Sequence, residues 1–191
     1  MHIINEYSII IYLVEFWVSR NMQIEIGQHK GKTVMTLVLK EPSYIQWILE
    51  QSNATGDLLE IRNEIWRLLS IFDSKPIHSK CCGRQCQNKS VKFTGYVGSP
   101  SLIYEWCDEC EPYDAGASFG RLVDINSYEQ ALNYVQFYCG GSKKNYKEVI
   151  RHIALAKGLP KISRKAEVEK FFTTNTPDKI LRLEYFTPYT D

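Results

Sequence analysis

The sequence predicts an α+β fold built from a small β-turn-helix module, a four-cysteine β segment and a C-terminal helical segment. Three observations predict it. Apolar residues recur at helical spacing in several stretches, two short β-rich runs are joined by a Gly-Ser-Pro turn, and closely spaced cysteines bracket those two runs. The 191 residues are 44% hydrophobic and 24% charged, which is typical of a globular protein of one domain or two small ones.

Residues 1–21 leave two interpretations open. A strand-and-turn pattern starts at Met22, which makes residues 1–21 an N-terminal extension; alternatively, they form an element packed on the core. Their most apolar stretch, residues 7–18, is too short to span a bilayer and lacks the flanks of a signal peptide. We therefore expect an intracellular, cytoplasmic protein that has no membrane partner.

Residues 22–72 form the first predicted module. Residues 22–26 alternate as a short strand does, Gly27 and Gly31 bracket a turn, and residues 33–39 continue as strand or short helix. Pro42 marks a helix start. A longer helix begins at Asp57, with a glutamate three residues on as in a capping box. Its apolar face comprises Leu58, Ile61, Ile65, Leu68 and Leu69.

The turn of this module carries His29, Lys30 and Lys32 beside two glycines. Exposed backbone amides and ammonium groups together suit a phosphate backbone, so these three residues are predicted nucleic-acid contacts. Tyr44 and Trp47 could stack on bases. Their helical spacing beside Ile45 and Ile48 favours a core position instead.

The stretch from residue 24 to 49 carries a recognisable pattern. Gly27 is followed by His29-Lys30-Gly31-Lys32, a short apolar run, and Pro-Ser-Tyr-Ile-Gln-Trp-Ile-Leu at 42–49. This pattern resembles the C-terminal module that follows the nuclease domain in exodeoxyribonuclease X-like proteins and occurs in some short bacterial and phage proteins. Ile26 stands where that module usually has Phe or Tyr, and Gln28 where it usually has Lys. The resemblance implies a nucleic-acid-associated accessory module over residues 22–72, with a partner nuclease or other protein and without catalysis.

Residues 77–122 contain the sharpest chemical signal. Cys107-x2-Cys110 is one half-site and Cys82-x3-Cys86 another, with Cys81-x4-Cys86 as the alternative. The twenty residues between the half-sites read as a hairpin turning at Gly98-Ser99-Pro100, which is the layout of a zinc ribbon. Inside a cell such cysteines are more often metal ligands than disulfides. We predict a zinc-ribbon-like segment with one structural Zn²⁺ bound by Cys82, Cys86, Cys107 and Cys110.

Two alternatives accompany this site. His78 is a possible replacement ligand, and Cys107 with Cys110 also fits a redox CxxC motif, although no thioredoxin-like βαβ pattern surrounds it. A run of carboxylates follows, which is either a solvated loop or a Mg²⁺ site: Glu105, Asp108, Glu109, Glu111 and Asp114.

Residues 123–191 form a basic helical segment. Ser127 caps one helix, in which Cys139 is a core thiol; Asn145 caps the next, which stops at Gly158, and Ser163 starts a last short one. Net charge is only +1, yet residues 143–170 carry nine Lys/Arg against three Glu, which suggests a polyanion surface. The predicted nucleic-acid contacts here are Lys144, Lys147, Arg151, Lys161, Arg164 and Lys165.

The leading functional prediction is a non-catalytic accessory protein that binds nucleic acid, DNA rather than RNA, with zinc as scaffold. The sequence has no paired Asp/Glu motif for two-metal cleavage, no His-Asn-His finger and no P-loop, which argues against an enzyme. The first alternative is a protein-interaction adaptor that uses the zinc ribbon and the acidic loop. The second is a divergent metal-dependent nuclease that uses the 105–114 carboxylates.

Overall fold

The computed structural model describes residues 22–25, 27–110, 112–115 and 118–174. The predicted N-terminal extension, residues 1–21, lies outside these ranges, as do Ile26 and Glu111. Within them the chain forms six α-helices and one three-stranded antiparallel sheet, which confirms the predicted α+β class.

The N-terminal part is helical almost throughout. A 3₁₀ turn, Gly27–His29, precedes α1 (Val34–Lys40), α2 (Pro42–Leu49) and α3 (Asp57–Ser74). Residues 33–39, which the sequence predicts to be a strand or a short helix, therefore belong to α1 and its cap. Thr33 caps α1 by accepting a 3.3 Å hydrogen bond from the Thr36 N–H. Of the predicted strand at residues 22–26, the described residues 22–25 form a single bridge, between Gln23 and Thr33.

The sheet contains β1 (Lys92–Tyr96), β2 (Ser99–Trp106) and β3 (Leu122–Ile125) in the order β2-β1-β3. The predicted hairpin is β1 and β2, with Gly98 at positive φ in its turn. The sequence did not reveal β3, which pairs antiparallel with β1. Gly95 in the central strand faces Tyr134, whose ring would lie 2.5 Å from an added Cβ, so a glycine allows this close packing.

Three helices complete the chain: α4 (Tyr128–Tyr138), α5 (Lys143–Ala156) and α6 (Lys165–Thr173). Ser127 caps α4 as predicted. The cap of α5 is Ser142, whose hydroxyl accepts from the Asn145 N–H, so the prediction of an Asn145 cap is wrong by three residues. The last helix starts two residues after the predicted Ser163.

The buried side chains form two clusters of very different size. The main cluster runs from Ile24 to Phe172, takes residues from all six helices, and includes Phe93, Ile103 and Ile125 of the sheet. Cys139 belongs to it, which confirms a core thiol. The second cluster consists of Cys81, Trp106 and Cys107. In the part of the chain that the structure describes, no helix is both long and apolar enough to cross a membrane.

Candidate metal centre and nucleic-acid interface

Four cysteine sulfurs converge at one end of the hairpin. The Sγ atoms of Cys81, Cys86, Cys107 and Cys110 all lie within 4.8 Å of one another, and those of Cys86 and Cys107 are 3.8 Å apart. Four thiolates placed tetrahedrally at about 2.3 Å from an ion are about 3.8 Å apart. This group could hold a metal ion, and it is the one such group of three or more His, Cys, Asp or Glu in the described ranges.

The hairpin topology brings the two half-sites together. Cys107 and Cys110 follow the end of β2, while Cys81 and Cys86 lie in the loop that leads into β1. In an antiparallel pair these two points lie at the same end. A bridge between Lys80 and Lys89 and a 3.0 Å hydrogen bond from the Cys81 N–H to the Asn88 carbonyl close the loop.

Backbone and side-chain donors point at the sulfurs. The N–H groups of Gly83 and Cys107 each lie 3.3 Å from Cys81 Sγ, and Asn88 Nδ2 lies 3.8 Å from Cys107 Sγ. Such donors favour the thiolate form. A Cβ on Gly83 would lie 2.5 Å from Cys110 Sγ, so a glycine is required for the cluster to close.

The thiols of Cys107 and Cys110 do not ionise alike. Burial opposes ionisation of Cys107, but hydrogen bonds from the Glu109 N–H and from the Cys110 and Cys81 thiols hold its pKa at about 6. Contacts with Cys107, Cys81 and Cys86 raise the pKa of Cys110. Thiolates this close repel one another, and a bound cation is what lets all of them deprotonate together.

Cys81, and not Cys82, joins the cluster, so the predicted choice between these neighbours is wrong. The Cys82 N–H donates to the Glu105 carbonyl at 2.7 Å, and its exposed thiol donates to Glu105 Oε2 at 3.3 Å, away from the other sulfurs. Cys81 is buried instead beside Trp106. The alternative ligand His78 lies elsewhere, with its ring against Gly158.

The carboxylates around the hairpin end engage separate partners. Glu105 Oε1 lies 2.9 Å from His152 Nε2 of α5, and Glu109 accepts a 2.9 Å hydrogen bond from Asn88. Asp108 is exposed, and Glu111 lies outside the described residues. Within the described ranges no three carboxylates converge as a Mg²⁺ site would require.

The predicted contact His29 is buried, so the expectation that it faces a polyanion is wrong. Its Nδ1 lies 3.3 Å from Lys32 Nζ, its Nε2 lies 3.2 Å from the Gln28 amide, and its ring packs on Tyr44. Burial, followed by the charge of Lys32, lowers the pKa of His29. The ring is therefore an internal support of the turn.

The lysines of the turn lie beside the basic helix α5. Lys30 and Lys32 are exposed. The His29 ring of the turn packs on Tyr44 of α2, and Lys147 of α5 pairs at 2.9 Å with Glu41, which directly precedes α2, so the turn and the start of α5 both adjoin the start of α2. We call this region the basic surface and define it by Lys30, Lys32, Lys143, Lys144, Lys147 and Arg151, all exposed.

Acidic side chains partly balance the predicted basic contacts. Lys147 pairs with Glu41 at 2.9 Å and Lys165 with Glu169 at 3.9 Å. Lys161 and Arg164 are exposed in and after the loop that follows α5. Lys40 Nζ donates to the Ser163 carbonyl at 3.1 Å, which ties that loop to the end of α1.

Tyr44 and Trp47 differ in environment. Tyr44 is half-buried and packs against the main cluster, in line with the predicted core position. Trp47 is 48% exposed and stacks on Tyr44, with ring centroids 5.5 Å apart and planes 18° apart. For Trp47 the expected core position is therefore wrong.

A tetrahedral ion held by all four cysteines would have no open position for water or substrate, as in structural metal sites. No protein family, curated protein or solved structure gives a significant match to the chain.

Proposed function

We propose that the protein is a non-catalytic accessory protein that binds nucleic acid, with one zinc ion as the scaffold of its hairpin. The observation that carries this proposal is that the basic turn and the start of α5 both adjoin the start of α2, through the His29–Tyr44 ring contact and the 2.9 Å Lys147–Glu41 pair. Two cationic segments that are far apart in sequence thereby contribute to one surface. A phosphate backbone, which carries regularly spaced charge, is the polyanion that best fits such a surface.

Zinc is the metal that the cysteine cluster favours. Four sulfurs at tetrahedral spacing suit Zn²⁺ or an iron–sulfur centre, and Zn²⁺ has no geometric preference that opposes this arrangement. Protein purified without chelator should contain about one zinc per chain. Cys81→Ser should abolish it, whereas Cys82→Ser, a change at the neighbouring residue, should keep it. Metal analysis that finds iron, or no metal, contradicts the zinc proposal.

Binding should be electrostatic and tolerant of sequence. Fluorescence anisotropy with labelled DNA and RNA over a salt series should show affinity that falls steeply as salt rises, because each neutralised phosphate releases counterion. Replacing Lys30 and Lys32 with Ala should lower the salt slope by about one to two units. Replacing Lys147, Arg151, Lys161 and Arg164 should lower it further.

A control variant makes this test specific. Lys89 and Arg121 are also exposed, but they lie in the loops that precede β1 and β3. Replacing both with Ala removes the same charge as the turn variant and should leave the salt slope nearly unchanged. If the wild-type protein binds neither DNA nor RNA at low salt, where screening is weakest, the proposed function is wrong.

A protein-interaction adaptor is the second candidate. Two exposed aromatic rings favour it, because Phe119 is 93% and Phe137 is 73% exposed. Contiguous exposed apolar patches mark protein-binding surfaces, so this candidate requires the two rings to belong to one patch. This candidate becomes the better one if nucleic acid does not bind at low salt.

A further inference from the structure

We propose that the basic surface selects single-stranded nucleic acid and that Trp47 stacks on one of its bases; this inference rests on the proposed function. The observation is a ladder of three rings. His29 packs on Tyr44 with centroids 4.4 Å apart, and Tyr44 stacks on Trp47 with centroids 5.5 Å apart. The ladder begins inside the protein at His29 and ends at the exposed Trp47.

The geometry of α2 places the tryptophan outside. Ile45 and Ile48 are fully buried and fix the inner face of the helix. Tyr44 and Trp47 are three residues apart, so they are neighbours on the helix surface. Tyr44 covers one side of the Trp47 ring, and nearly half of the tryptophan remains open to solvent. A ring held this way is already positioned to stack.

Cationic residues border the inner end of the ladder. Lys32 Nζ lies 3.3 Å from His29 Nδ1, and Lys147 of α5 reaches the start of α2, where its Nζ lies 2.9 Å from Glu41. Two acids also belong to α2 or its ends. Glu41 is paired with Lys147, and Glu50 accepts a 2.7 Å hydrogen bond from the Gln46 amide. Lys147 offsets Glu41, which leaves the exposed Lys32 at the inner end of the ladder to meet a phosphate.

An open ring at one end of the ladder and an exposed lysine at the other end let the protein distinguish single-stranded from duplex nucleic acid. In a duplex the base faces are covered by their neighbours, so a protein ring cannot reach them without unstacking. In a single strand the faces are accessible, and stacking on an aromatic side chain adds affinity for any base. Lysines alone would favour the higher charge density of duplex DNA.

The experiment compares binding of a mixed-sequence single strand with binding of its duplex at one salt concentration. The strand has about 15 nucleotides, a length near the upper end of common site sizes. The wild-type protein should bind the strand more tightly than the duplex. Trp47→Ala should weaken strand binding roughly 5- to 100-fold, as loss of one base stack does, and change duplex binding little. Trp47→Phe should retain most of the affinity.

Two further measurements make the test specific. Saturation with the strand should quench tryptophan emission in the wild-type protein, and much less in Trp47→Phe. The control is Trp66→Phe, which replaces a half-buried tryptophan of α3 and should be quenched like the wild-type protein. An oligonucleotide of abasic nucleotides, which has no base to stack, should bind the wild-type protein and Trp47→Ala with the same affinity. Circular dichroism checks that each variant is folded.

The outcomes separate this inference from the proposed function. Equal affinity for strand and duplex, together with an unaffected Trp47→Ala, overturns the single-strand inference and leaves nucleic-acid binding in place. No binding to either ligand overturns both.

Discussion

The helical part of the molecule and the cysteine end of its hairpin (residues 79–91 and 105–110) are held together by different interactions. In the helical part, fully buried side chains such as Ile45, Leu68 and Val149 join elements that are far apart in sequence. At the cysteine end the buried cluster is only Cys81, Trp106 and Cys107. So small a β segment buries too little apolar surface to fold by itself, and a bound metal can supply the missing stability.

One hairpin connects the two regions. Phe93 of β1 and Ile103 of β2 belong to the main cluster, whereas Trp106, three residues further along β2, belongs to the small one. The Trp106 Nε1–H donates a buried 2.8 Å hydrogen bond to Thr94 Oγ1 at this boundary. We therefore expect the cysteine end to open locally while the other half of the hairpin stays in place.

The largest expected effect comes from removing one cysteine of the cluster. Cys81→Ser should lose the metal and expose the backbone of the cysteine end, because metal binding can contribute on the order of 10 kcal/mol to such a site. Hydrogen exchange read by mass spectrometry should show loss of protection in residues 79–91 and 105–110 and retained protection in α3 and α5. Cys82→Ser, with its sulfur outside the cluster, is the matched control. Equal loss of protection throughout the protein would show that the regions unfold as one.

The next effect concerns the helical part. Ile65→Ala should lower the free energy of unfolding by about 2 to 5 kcal/mol, since a fully buried side chain is removed and a cavity remains. Metal content should not change. Urea denaturation followed by circular dichroism measures this, with Ile162→Ala as the control because Ile162 is 77% exposed. If Ile162→Ala lowers the free energy of unfolding as much as Ile65→Ala does, burial of Ile65 in the main cluster is not the source of the stability.

The contrast also explains what the sequence could predict. Helices α3 and α4 follow from apolar periodicity, and the start of α4 also from its Ser127 cap, whereas Gly56 and not Asp57 occupies the N-cap of α3. The cysteine cluster follows from spacing. The choice between Cys81 and Cys82 does not, since it depends on which backbone N–H meets the Glu105 carbonyl, a contact 23 residues away in sequence.

Other features missed by the sequence have the same origin in tertiary contacts. The short strand β3 exists because β1 pairs with it, and four residues carry too little pattern to reveal it. His29 is buried because Tyr44 of α2 packs on it, which turn chemistry alone does not predict. Trp47 is exposed although its neighbours on the helix are core, because the stripe of apolar residues is wider than the buried face.

An opposite pH dependence should distinguish the two regions. Burial raises the pKa of Asp73 to about 6, against the hydrogen bond from the Tyr128 N–H and the charge of Lys157. A folded-state pKa above the unfolded value stabilises the protein below about pH 4, and this contribution is lost as pH rises through about 6. Asp73→Asn keeps an acceptor for Tyr128 and should remove a pH-dependent loss of about 3 kcal/mol.

Thermal unfolding between about pH 4 and 8 measures this contribution in metal-loaded protein. Asp124→Asn on β3 is the control, because Asp124 is exposed. The cysteine end should behave in the reverse way and hold its metal better as pH rises, since its ligands must deprotonate. If Asp73→Asn has the same pH profile as the wild-type protein, Asp73 does not carry the effect.

The smallest expected effect belongs to the ion pair that joins the two regions. Glu105 precedes the second cysteine pair, and His152 lies on α5 with its side chain 36% exposed, so water screens their 2.9 Å contact. A double-mutant cycle with Glu105→Gln and His152→Gln should give a coupling energy below about 1 kcal/mol, as for partly exposed pairs. The cysteine end would then be attached to the helical part chiefly by packing of β2 on α5, and its local opening would leave α5 intact. A coupling energy of about 3 kcal/mol, the range of buried pairs, would instead mean that the pair transmits stability between the regions, and metal loss should then also expose the backbone of α5.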